Sequence, residues 1–138
     1  MPTNTEFTLH LEDQPGTLAQ ACRALGDRKV NILALQATPG GGKSQVRFVA
    51  DNPTTTKTVL DREHISYTEA QVAQVRLANQ PGELARAAAR LGEAKININY
   101  VYSGLESGTN TPVLIFGVAD AGRAANILEE TAAGAART

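Results

Sequence analysis

The chain has 138 residues, a length expected of one domain, so any division gives very small units that need a shared interface to bury enough surface. Thirteen basic against fourteen acidic residues leave a formal charge of −1, which supplies no field for a polyanion and argues against nucleic acid as a partner. The opening MPTNTEFTLHLED has no basic region followed by a long apolar run, and nothing reaches the roughly 18 apolar residues of a membrane span. The expectation is a soluble, unexported, cytoplasmic protein without a membrane partner, and the single cysteine, Cys22, fits a reducing compartment.

Sliding the chain along itself by 66 residues lays residues 9–35 over 75–101, and 12 of those 27 positions are identical. Two copies at so long a period indicate a duplicated domain rather than an open array. The expected boundaries are 1–70 and 71–138. In each copy apolar and polar residues first alternate, as Phe7, Leu9 and Leu11 do and as Ala73, Val75 and Leu77 do, the period of a half-buried strand. Asp13-Gln14-Pro15-Gly16 and Asn79-Gln80-Pro81-Gly82 follow, each placing a capping-type side chain before a Pro suited to a first helical turn. A helix is predicted next, with Leu18, Ala21, Cys22 and Leu25, and then Leu84, Ala87, Ala88 and Leu91, forming its apolar stripe, and with Gly26 and Gly92 at its end.

Second strands are predicted over 30–38 and 96–103 and third strands over 45–50 and 112–118, separated by glycine-rich turns. Second helices begin near Asp51-Asn52-Pro53 and Asp120, with Thr56, Val59, Leu60 and Ala124, Ile127, Leu128 facing inward. A fourth strand over 65–68 closes the first copy. The second copy ends in Ala132-Ala-Gly-Ala-Ala-Arg-Thr138, which carries no strand signal.

With Asp13-Gln-Pro-Gly-Thr-Leu18 and Asn79-Gln-Pro-Gly-Glu-Leu84 each ending a strand and opening a helix, and Val30-Asn-Ile32 and Ile96-Asn-Ile98 following, the chain resembles the ACT domain family over nearly its whole length. It is similar to the small stand-alone tandem members, whose second copy often carries a run like Tyr100-Val-Tyr-Ser103. The resemblance implies an α+β fold of two ferredoxin-like βαββαβ units in tandem, with antiparallel sheets bearing helices on one face. It also implies an effector, an amino acid or similar molecule, held where ACT units meet.

In amino-acid-binding members of the family, an Asn two residues before the Pro and an Asn at the start of the second strand hold the effector's polar groups. These positions are Asn79 and Asn97 in the second copy and Asp13 and Asn31 in the first. The histidine that precedes the first Asn by two places in the serine-sensing type is replaced by Leu11 and Leu77, which weakens the case for serine. The candidate ligand-binding set is therefore Asp13, Gln14, Pro15, Gly16, Leu18, Asn31 and Ile32, with Asn79, Gln80, Pro81, Gly82, Leu84, Asn97 and Ile98. The chemistry agrees without the family. An Asn amide offers both a donor for a carboxylate and an acceptor for an ammonium, and a helix start attracts anions. Asp13 would favour an ammonium, so the two sites should differ and the second copy should bind more tightly. Asp13 and Asn79 read equally well as plain helix caps, and Asn31 and Asn97 as satisfying backbone groups.

Ala37-Thr-Pro-Gly-Gly-Gly-Lys-Ser44 imitates a phosphate-binding loop, but alternation follows it where a helix should, so it reads as a hairpin turn. Cys22 has no histidine at an activating spacing, and His10 and His64 are too few and too isolated for a metal site. Tyr100 and Tyr102 share a strand face and suit packing better than base stacking. No catalytic residues, metal or cofactor are expected. The function this favours is a regulatory module acting on an external enzyme or regulator, as a homodimer. The alternative is a homo-oligomeric assembly module that binds no effector. RNA binding and catalysis are disfavoured.

Overall fold

The computed structural model describes residues 3–137, with side chains as far as Glu129. Its elements run β1 (Thr3–Glu12), α1 (Thr17–Asp27), β2 (Ile32–Gly40), β3 (Lys43–Ala50), α2 (Pro53–Arg62), β4 (Tyr67–Arg76), α3 (Glu83–Glu93), β5 (Tyr100–Leu105), β6 (Pro112–Gly117) and α4 (Ala121–Arg137). They group into two compact units, Thr5–Ala70 and Gln71–Thr138, the latter taking in Met1–Asn4.

The first unit has the order βαββαβ. β3 lies between β1 and β2 and is antiparallel to both, with Phe7 opposite Phe48 and Leu35 also opposite Phe48. Gly41 and Gly42, at φ 63° and 85°, turn the β2–β3 hairpin, and Gly40 faces Lys43 across it. Two consecutive left-handed residues are what a tight hairpin turn requires, so the segment that imitates a phosphate loop is a hairpin. β4 follows α2, and the N–H of His10 donates to the carbonyl of Ser66 at 3.2 Å.

The separate strands expected at 65–68 and at 73–77 are one continuous strand, β4, and the boundary between units falls inside it. No Gly, Pro, Asn or Asp occurs between Tyr67 and Arg76 to break it. In the second unit β6 lies between β4 and β5, antiparallel to both. Among the described residues no fourth strand follows. α4 continues through the Ala-rich tail to Arg137, where the high helix propensity of alanine carries it onward. Residues before Thr5 group with this unit instead, and the amide of Asn4 donates to Oε1 of Gln74 at 3.0 Å.

Each unit packs its helices on its own core. In the first, Phe7, Leu9, Val46 and Phe48 from the sheet meet Ala21, Leu25, Val59 and Leu60 from the helices. In the second, Ala73, Val75, Leu114 and Phe116 meet Ala87, Leu91, Ala124 and Leu128. Each such fully buried large side chain contributes about 1.5–3 kcal/mol. The rings of Phe7 and Phe48 stack at 5.6 Å. In the second unit the ring of Tyr100 covers Gly117, where an added Cβ would come within 2.2 Å of it.

The helix ends differ from expectation. Gly26 and Gly92 lie within the last turns, and the left-handed residues are Lys29 and Lys95, at φ 64° and 62°. Val30 N–H bonds the carbonyl of Leu25, and Ile96 N–H that of Leu91, so both helices close in a Schellman motif. α2 closes the same way: His64 is left-handed at φ 58°, and Ile65 N–H bonds the carbonyl of Leu60. α2 begins as its sequence predicts, with the Asn52 side chain accepting from Thr55 N–H at 3.1 Å and Pro53 in the first turn. Asp120 Oδ1 accepts from Arg123 N–H at 3.0 Å at the start of α4.

Candidate functional site

The repeated Gln-Pro-Gly segments are tight turns with nearly superimposable backbones. Gly16 stands at φ 92°, ψ −14° and Gly82 at φ 88°, ψ −10°. Thr17 N–H reaches the carbonyl of Gln14, and Glu83 N–H that of Gln80, each at 3.4 Å. Pro second and a left-handed Gly third define a type II turn. The prolines are therefore turn residues outside the helices. Asp13 and Asn79 do not cap them either: the capping positions are Gly16 and Gly82, and neither makes a side-chain cap bond.

The turn residues Asp13, Gln14, Pro15 and Gly16 are exposed, as are Asn79, Gln80, Pro81 and Gly82. Leu18 and Leu84, expected on the apolar stripes, are instead 38% and 46% exposed. Asn31 lies just before β2, where its N–H bonds Oδ1 of Asp51 at 2.9 Å and its carbonyl accepts from Asp51 N–H at 3.0 Å. Asn97 precedes β5 and donates from its side chain to Oδ1 of Asn99 at 3.1 Å. Ile32 and Ile98 are half-buried against their own cores. Each unit thus has an exposed turn, an uncapped helix start and an Asn at the entrance to the next strand.

The first unit also contains a cleft of about 360 Å³ that the repeat does not announce. Its walls are the end of β1 at 10–12, Thr17, Gln20 and Ala21 on α1, Lys43 on β3, and residues 63–66 leading into β4. Lys43 Nζ pairs with Oε1 of Glu12 at 3.1 Å. His10 and His64, far apart in sequence, both line this cleft. Among the described residues, no three His, Cys, Asp or Glu side chains group as a metal site would require. Nothing in spacing or periodicity marks these residues, since the turn before β4 brings them in from the end of α2.

Cys22 is half-buried on α1, and burial pushes its thiol pKa up, opposite to what a nucleophile needs. Tyr67 donates its hydroxyl to Oδ1 of Asp61 at 2.9 Å, and that bond, more than its burial or the nearby charges, raises its pKa. The rings of Tyr100 and Tyr102 stack at 6.3 Å along β5.

No curated protein matches the chain. Among solved structures it is similar to a protein of Bacteroides thetaiotaomicron, at 20% identity over 94% of this chain and 88% of that one, with a TM-score of 0.81. It is also similar to the ligand-free regulatory subunit of aspartate kinase from Thermus thermophilus, at 18% identity over 95% and 93% of the chains and a TM-score of 0.65. The corresponding subunit from Thermus flavus follows at 17% identity over 95% and 93%, with a TM-score of 0.60. The sequence profile of the ACT domain pair matches residues 3–133. Duplicated turn, matching helices and profile agree, and the chain belongs to the ACT domain pair family.

Proposed function

We propose that this chain is a non-catalytic regulatory module, built of ACT-like domains at 1–70 and 71–138, that binds an amino acid and signals its level to a partner enzyme or regulator. The observation that supports it best is the pair of exposed type II turns, each feeding a helix that no side chain caps. Backbone N–H groups there suit a carboxylate, and Asn79 with Asn97 offers both donors and acceptors to a zwitterion. Likeness to regulatory subunits of aspartate kinase favours output through a separate enzyme. A coupling of that kind needs the effector to bind two states of the assembly unequally.

A thermal-shift screen of the standard amino acids and purines tests this reading. A true effector at 100 times its dissociation constant should stabilise the chain by about 2.7 kcal/mol. Calorimetry should show Asn97→Ala weakening that binding, whereas stabilisation by none of the compounds would overturn the proposal. The exposed leucines Leu18, Leu84 and Leu105 favour a second reading, a homo-oligomeric assembly module without an effector. It predicts a dimer by light scattering together with a silent ligand screen. A dimer that also responds to ligand fits the first reading.

A further inference from the structure

We propose that the cleft of the first unit is a second binding site, for a small zwitterion, separate from the duplicated turn. None of Asp13, Gln14, Pro15, Gly16 or Asn31 lines it. At about 360 Å³ it lies at the lower end of the range of roughly 300–1,000 Å³ typical of small-ligand pockets.

Leu11, Ala21 and Ile65 supply apolar wall, and the remaining lining is polar or charged with both signs present. Lys43 and Glu12 form an exposed ion pair, 52% and 63% accessible, which contributes little to stability and so exchanges partners at small cost. A ligand carboxylate can take the place of Glu12 on the Lys43 ammonium. Across the cleft, Glu63 holds no ion pair among the described residues and is placed to receive a ligand ammonium. A molecule carrying both charges can satisfy Lys43 and Glu63 at once.

His64, on the cleft wall, is left-handed because it closes α2, as Lys29 and Lys95 close α1 and α3. The wall at residues 63–66 is a turn of the first unit, whereas α4 of the second unit continues as helix to Arg137. Ala78 also stands at the position equivalent to Glu12.

The test is a titration of the full-length, 15N-labelled chain with an equimolar pool of the standard amino acids, followed by amide chemical shifts. Shifts at Glu12, Gln20, Glu63 and Ser66 are expected. Lys43→Gln and Glu63→Gln, both at exposed positions, should each weaken this response by about tenfold. Asn97→Ala should leave it intact. Methyl esters, which lack the carboxylate, and N-acetyl derivatives, which lack the ammonium, should fail to produce it. Shifts confined to Asn79, Gly82 and Asn97 would overturn the cleft and leave the turn site standing. Shifts confined to the cleft would do the reverse, no shifts would overturn both, and an equal response to either blocked form would overturn the zwitterion assignment.

Discussion

The junctions between strand and helix in the two copies share a backbone and differ in what supports it. Gly16 and Gly82 match within a few degrees, and the first helical bonds, Gln20 N–H to Gly16 and Arg86 N–H to Gly82, measure 3.0 and 2.9 Å. Around them, Thr17 Oγ1 donates to the carbonyls of Glu12 and Gln14 at 2.8 and 3.1 Å, whereas Glu83 accepts from the Arg86 guanidinium at 3.1 Å. Pro-Gly imposes the turn by covalent geometry, so duplication has kept it. The side chains were free to drift, and the chemistry offered to a ligand drifted with them.

Substitutions in pairs sharpen this contrast. The largest effects lie in the cores, where Phe48→Ala and Phe116→Ala should each cost about 3–5 kcal/mol by urea denaturation. Phe48→Ala should cost about 1 kcal/mol more, because it also removes the stacked partner of Phe7. Equal losses would show that this stacking adds nothing. Next come Gly16→Ala and Gly82→Ala, which force L residues into left-handed backbone at about 1–2 kcal/mol each, alike in both copies. An added Cβ meets nothing within 4 Å at either site, so unequal costs would mean that the turns are less equivalent than their angles.

Smaller effects distinguish the copies. Thr17→Ala should lose about 1 kcal/mol with its hydrogen bonds, against about 0.5 kcal/mol for Glu83→Ala, which breaks only a pair within one helix. Smallest in energy is the thiol. Burial raises the Cys22 pKa, so less thiolate is present near pH 8 than in the unfolded chain, and a disulfide reagent should label it more slowly until denaturant is added. Its counterpart is Ala88, so labelling reports on the first unit alone. Equal rates in the folded and unfolded chain would contradict the burial.

Alternation and the repeat made most elements legible, because strand period and helical stripe are written in apolar residues such as Phe7, Leu9, Leu25 and Leu91. Three things were not. Gly26 and Gly92 looked like helix ends, yet the chain turns at Lys29 and Lys95, where backbone hydrogen bonds and the burial of Val30 and the packing of Ile96 outweigh the penalty of a left-handed side chain. Pro15 and Pro81 looked like first helical residues, because a type II turn and a helix start both accept Pro before Gly. The cleft was invisible because its walls come from four stretches that only the folded chain assembles. Of the residues expected to bind, the turn residues are exposed, and Ile32 and Ile98 are half-buried against the cores.

The lysines and histidine that end α1, α3 and α2 mark where the chain can be made more stable. Glycine is the usual occupant of such a position, and these three sites have gone without it. Each site is therefore a place where a change to glycine should raise stability without altering the fold.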